Sequence, residues 1–161
     1  MIVVAIMGVL ATLATYGVRK YLLEAKKAEA ATMLTQIRVA EEAYRDETFA
    51  YLGATSFDQW HPTSTPGGQK YAWGVASTVR TQFFDPLGVS PDGVVEYAYA
   101  VVAGTAGSGL PSIPTKTTFA FPAPTGPFYI AMAKADLDDD GTYTYALAHS
   151  ATSAIHIDQG F

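Results

Sequence analysis

Asp136, Asp138 and Asp140, with Leu137 and Asp139 between them and Gly141 after them, form a run whose residue types and spacing suit chemistry. Alternate carboxylates converge on calcium in the D-x-D-x-D-G opening of an EF-hand loop, and the glycine permits the turn. The match stops there, because the twelfth position of such a loop is Leu147 instead of a bidentate glutamate, and no flanking helices are predicted. A plain turn competes with the cation site. Residues 128–135 and 142–149 read as paired strands, and Asp140-Gly141 suits their connection. Four carboxylates in five residues repel one another, so either reading favours a cation nearby. Calcium is the one cofactor raised, and none is required.

Other chemistry finds no support. His61, His149 and His156 belong to no H-E-x-x-H pattern, and the chain lacks a G-x-S-x-G elbow, a G-x-x-x-x-G-K loop and a dinucleotide fingerprint. His149 and His156 read as ordinary strand-end residues. With no cysteine there is no disulfide, thiolate zinc site, iron–sulfur cluster or cysteine nucleophile. With no asparagine there is no N-glycosylation acceptor. No enzyme is expected.

The acidic run is expected to sit in an antiparallel β domain. Residues 94–103 (VVEYAYAVVA), 119–121, 128–135 and 142–149 read as strands, and 154–158 adds an edge. Three or four strands packed on a helix is the economical α+β solution. The joins GTAGSGLPSIPTKTT and PAPTGP suit exposed loops, with hydroxyls open to O-linked sugars. Between helix and sheet, Gly53, Pro62, Pro66, Gly67 and Gly68 mark a connecting region. Its aromatics Phe49, Tyr51, Phe57, Trp60, Tyr71 and Trp73 are expected to pack over the helix; an aromatic platform for a ligand is the sharper alternative.

The helix is the dominant element. Residues 1–18, MIVVAIMGVLATLATYGV, carry no ionisable side chain except Tyr16 and stand at the threshold for a membrane span. No basic n-region precedes Ile2, which argues against a signal peptide. From Val18 to Thr48 there is no Pro and no Gly, so one helix of about 70 Å is predicted from Met1 to about Thr48. Ala30, Met33, Leu34, Ile37, Ala40 and Tyr44 form an apolar stripe of period 3.6, with Lys26, Lys27, Glu29, Arg38, Glu41, Glu42 and Arg45 mostly off it. In the first half the side-chain sizes are sorted. Ala5, Gly8, Thr12 and Thr15 give a small face that lets helices approach closely, while Ile2, Ile6, Val9 and Leu13 give a bulky one. The division is therefore 1–52 as helix, of which 1–18 is membrane or filament core, and 53–161 as a β-rich domain.

MIVVAIMGVLATL resembles the N-terminal segment of type IV pilins and of type II secretion pseudopilins, and AKKAEAATMLTQIRVAEEAYR is similar too. The likeness is specific over about the first fifty residues and architectural beyond them. It implies a basic leader ending in Gly removed by a prepilin peptidase, a methylated N-terminal Phe, and a Glu soon after that assists assembly. These features would lie upstream of Met1. Many pilins have a Pro near the position of Tyr16; here any stretched region is expected between Gly8 and Gly17.

The function implied is a structural subunit that anchors in the inner membrane, meets the pilus assembly machinery, and polymerises with itself into an extracellular filament. Motility, adhesion and DNA uptake are the associated roles. The alternatives are a type II secretion pseudopilin, a singly anchored periplasmic binding module that never polymerises, and an electron-carrying filament. Charge supports an outward-facing domain without nucleic-acid specificity: residues 53–161 hold four Lys/Arg against nine Asp/Glu, the whole of the −5 excess. Arg19, Lys20, Lys26 and Lys27 follow the span directly, which by itself marks a cytoplasmic side. An outside location requires competing positive charge in the leader.

Overall fold

The computed structural model describes residues 2–114 and 121–158. Helix α1 spans Ile2–Thr48, followed by β1 (Tyr71–Ala72), a π-helical turn (Arg80–Phe84), β2 (Val94–Val95), β3 (Ala98–Gly104), β4 (Phe128–Ala135), β5 (Thr144–His149) and β6 (Thr152–Asp158). The chain is α+β. Strands β3-β4-β5-β6 form one antiparallel sheet in sequence order, while β1 and β2 pair separately.

Alternation along the strands gives the sheet two apolar faces. Tyr99, Val101, Tyr129, Ala131, Ala133, Ala135, Ala146 and Ala148 join one cluster with Ala30, Met33, Leu34 and Ile37 of α1. Alanine dominates this face on β4 and β5, so the helix lies close and its larger side chains fill the gap. Each buried Met, Leu or Ile contributes about 1.5–3 kcal/mol. The expected stripe is the docked face, with Ala40 and Tyr44 partly buried against it. On the far face, Ala98, Ala100, Phe128, Ile130, Met132 and Leu147 meet Trp60.

Several expectations are corrected. The strand at 94–103 is split, because the Glu29 carboxylate accepts the Glu96 and Tyr97 amides (2.9 and 3.5 Å) and replaces a strand partner there. The strand expected at 142–149 begins at Thr144, and that at 154–158 begins at Thr152. The strand expected at 119–121 falls outside the described residues except Phe121, which lies in no strand.

The connecting aromatics divide. Tyr51 and Trp73 pack on the helix side, Phe57 and Trp60 on the far face, and Phe49 is 84% exposed. The cause is the chain path. Ala54 and His61 both bridge to the β3 edge, at Val102 and Tyr99, and the loop between them covers the far face. Gly53 permits this approach, since a Cβ there would stand 2.6 Å from the Ala103 nitrogen.

Two charged residues expected off the stripe are buried on it. Lys27 pairs with Glu24 at 2.7 Å, and Glu41 has 0% exposure. Residue type argued them outward. Position places them inward, because Lys27 lies three residues before Ala30 and Glu41 lies four after Ile37 and three before Tyr44.

Candidate functional site: the exposed half-helix and the acidic loop

The start of α1 leaves the domain, and residues 2–18 are exposed throughout. Ile2, Ile6, Val9, Leu10, Leu13 and Val18 are each more than half exposed. Regular helical geometry puts Ala5, Gly8, Thr12 and Thr15 on one face and Ile2, Ile6, Val9 and Leu13 on the adjoining one. The threonine hydroxyls are already satisfied: Thr12 donates to the Val9 carbonyl and Thr15 to the Ala11 carbonyl, both at 2.8 Å. Such a face enters an apolar environment without an unpaired donor. Helix α1 is continuous through Gly8 and Gly17, and a Cβ at either would meet no atom within 4 Å. By length and composition, α1 is able to cross a membrane.

A polar seam marks where the helix meets the domain. Lys26 pairs with Glu96 at 3.2 Å and donates to the Leu137 carbonyl at 3.2 Å. Glu29 accepts the Tyr99 hydroxyl at 3.4 Å.

The acidic run lies at this seam, in the β4–β5 connection across which Ala135 pairs with Thr144. The connection is residues 136–143, longer than the tight Asp140-Gly141 turn expected. Asp136 is nearly buried, and its two oxygens accept the Asp140 and Gly141 amides at 3.1 and 2.8 Å. Asp140 accepts the Thr142 amide at 2.6 Å, and Asp139 accepts that of Gly68 at 3.4 Å. Asp139 and Gly141 take positive φ, 61° and 82°. The carboxylates thus hold the loop's own backbone. One ligand oxygen from each of Asp136, Asp138 and Asp140 also lies within 4.8 Å of the others, a grouping that fits a hard cation. Leu147, where a calcium loop needs its last ligand, is buried in the far-face core.

The histidines do structural work. His61 is buried, with Nε2 at 2.9 Å from the Trp73 carbonyl and Nδ1 at 2.8 Å from the Ser77 hydroxyl. A carbonyl only accepts, so Nε2 carries the proton and Nδ1 accepts from Ser77. Burial pushes its pKa down. His149 closes β5, as expected, and its Nδ1 accepts the Ala151 amide at 3.2 Å; His156 stacks near it at 6.2 Å, inside β6 instead of at its end. His149 is also pushed down, mainly by burial and then by His156.

The unforeseen groups are elsewhere. Glu41 accepts the Leu52 amide through Oε2 (3.0 Å), and burial pushes its carboxyl up to about 8. On the far face Lys134 lies 4.3 Å from the Trp60 ring centre and 5.1 Å from that of Tyr143. A cleft of about 400 Å³, lined by Arg45, Tyr51, Phe121, Tyr129 and His149, opens at the sheet end away from the acidic loop. No sequence pattern announced these contacts, which depend on the strand register and the β3-edge crossing.

No protein-family model, curated protein or solved structure matches this chain.

Proposed function

We propose that this chain is a filament-forming structural subunit of the type IV pilin kind, anchored by the first half of α1 and polymerised through it. The observation that carries the reading is the contrast within one helix: residues 2–18 are apolar and exposed on every side, while the later stripe is docked. Each large apolar side chain left in water forgoes about 1.5–3 kcal/mol of burial. A bilayer supplies that burial before assembly, and neighbouring helices supply it afterwards. The small face at Ala5, Gly8, Thr12 and Thr15 favours helix neighbours, because it allows close approach and its hydroxyls need no outside partner. The −5 domain then forms the filament's outer surface.

The resemblance to type II secretion pseudopilins, which often carry a calcium site in the C-terminal domain, gives the Asp136, Asp138 and Asp140 grouping a second reading. Such a pseudopilin shares the helix and differs in the process served.

Gly8→Leu is the direct test. The added side chain meets nothing within the chain and raises helix propensity, so the isolated subunit keeps its fold. Surface filaments are expected to be lost while the protein remains in the membrane. Unchanged filaments from this variant would remove the packing argument. Lost motility with secretion retained favours the pilin; lost secretion with motility retained favours the pseudopilin.

A further inference from the structure

The basic residues after the apolar segment are not equivalent. Lys26 is held by Glu96 and the Leu137 carbonyl, and Lys27 by Glu24. Lys20 is exposed and has no ion pair or hydrogen bond among the described residues. Its surroundings are specific. Tyr16 lies four residues earlier on the same helix face, Tyr21 is adjacent in sequence, and both rings are exposed. Leu13 continues that face into the apolar segment.

We infer that Tyr16, Lys20 and Tyr21 form a collar that docks on anionic phospholipid headgroups at the membrane face from which the domain emerges. The inference rests on the proposed membrane anchoring of residues 2–18. Lys20 stands two residues past Val18, about 3 Å along the axis, which puts it in the headgroup layer when Val18 ends the span. Helical side chains lean toward the N-terminus, so this lysine reaches back toward the bilayer. Tyrosine rings favour the same interfacial layer. The occupant follows from charge. The domain carries the chain's whole acidic excess, and the exposed Asp138, Asp139 and Asp140 lie at the level of Lys26, about 9 Å beyond Lys20. An anionic surface therefore repels the domain and attracts the helix at the collar.

The test uses the full chain and vesicles of phosphatidylcholine with or without phosphatidylglycerol, scored by flotation at low and high salt. The native chain is expected to prefer anionic vesicles, with the preference falling as salt rises. Lys20→Gln is expected to reduce that preference about fivefold, and Lys20→Arg to retain it. Arg45→Gln removes the same charge at the far end of α1 and is expected to leave it unchanged. Binding to both vesicle types with no loss in Lys20→Gln would overturn the collar and leave anchoring intact. Binding to neither would overturn the anchoring itself. A Lys20→Gln effect confined to self-association would make the occupant a second copy and equally overturn the lipid assignment.

Discussion

Residues 2–23 and 24–48 of α1 share one backbone geometry and meet opposite fates. The later half is amphipathic and finds its apolar partner inside the chain, in the alanine-rich faces of β4 and β5. The earlier half is apolar and exposed from Ile2 to Val18, carries Lys20 after that run, and meets the domain core at its end through the partly buried Leu23. A helix does not need its whole length buried to be continuous, because its backbone hydrogen bonds are made within it. Under the proposed anchoring, the burial that residues 2–18 lack comes from outside the chain.

The strongest way to break that contrast is to truncate one large side chain in each half. Ile37→Ala opens a cavity under the sheet and is expected to cost about 2–5 kcal/mol in thermal melts of the detergent-solubilised subunit. Leu13→Ala is expected to leave that melt unchanged and to reduce filament yield. A large melting shift from Leu13→Ala would mean that the first half is docked as well.

Glu41 sharpens the comparison, because it is a titratable group sealed into the docked face. Its folded carboxyl titrates at about 8, against 4.5 ordinarily. Between those values the unfolded chain has released the proton and the folded chain holds it. The contribution of Glu41 to stability therefore falls as pH rises from about 4.5 to about 8 and is level above that, opposed in the acid part of the window by the depressed His61 and His149. Glu41→Gln retains an acceptor for the Leu52 amide and is expected to remove the falling contribution, leaving only the opposite slope of His61 and His149 and gaining a few kcal/mol at alkaline pH. Denaturant melts across this window decide it; a parallel slope in Glu41→Gln rules the assignment out.

Much of this architecture was legible and some was not, for identifiable reasons. The stripe from Ala30 to Tyr44 follows from period, the helix from its run without Pro or Gly after residue 17, and the strands at β4 and β5 from composition and the Gly- and Pro-rich joins between them. Positions 27 and 41 read as off the stripe because Lys and Glu argue outward, and the structure places them inward with an ion pair and a carboxyl pushed up to about 8. The break between β2 and β3 was invisible because it is set by Glu29, 67 residues from Glu96. The acidic run showed its residue types but not its geometry, since aspartates that bind a cation and aspartates that hold a turn look identical in sequence.

The strap from helix to sheet offers a smaller test of how tightly the docked half is held. Gly53→Ala drives a methyl group into the β3 backbone, 2.6 Å from the Ala103 nitrogen and 2.8 Å from the Val102 carbonyl carbon. The expected cost is about 1–3 kcal/mol. Hydrogen exchange should rise at Ala54 and Ala103, whose amides join strap and strand, and stay unchanged before residue 23.

The acidic loop decides where the boundary between the halves falls, because the Leu137 carbonyl anchors Lys26. Asp136 and Asp138 separate turn from cation site. Asp136→Ala removes the acceptors of the Asp140 and Gly141 amides, two part-buried bonds, and is expected to cost about 1–2 kcal/mol without any metal. It should also modestly speed amide exchange around residues 23–27, as Lys26 loses the fixed Leu137 carbonyl and keeps Glu96. Asp138 is exposed, so Asp138→Asn is expected to shift stability by less than about 0.5 kcal/mol in chelator. Added calcium then discriminates. A melting increase in the native chain that Asp138→Asn removes assigns a cation site to the loop; equal melts with and without calcium leave the carboxylates as turn-formers, with the boundary at Lys26 held by the Leu137 carbonyl and Glu96.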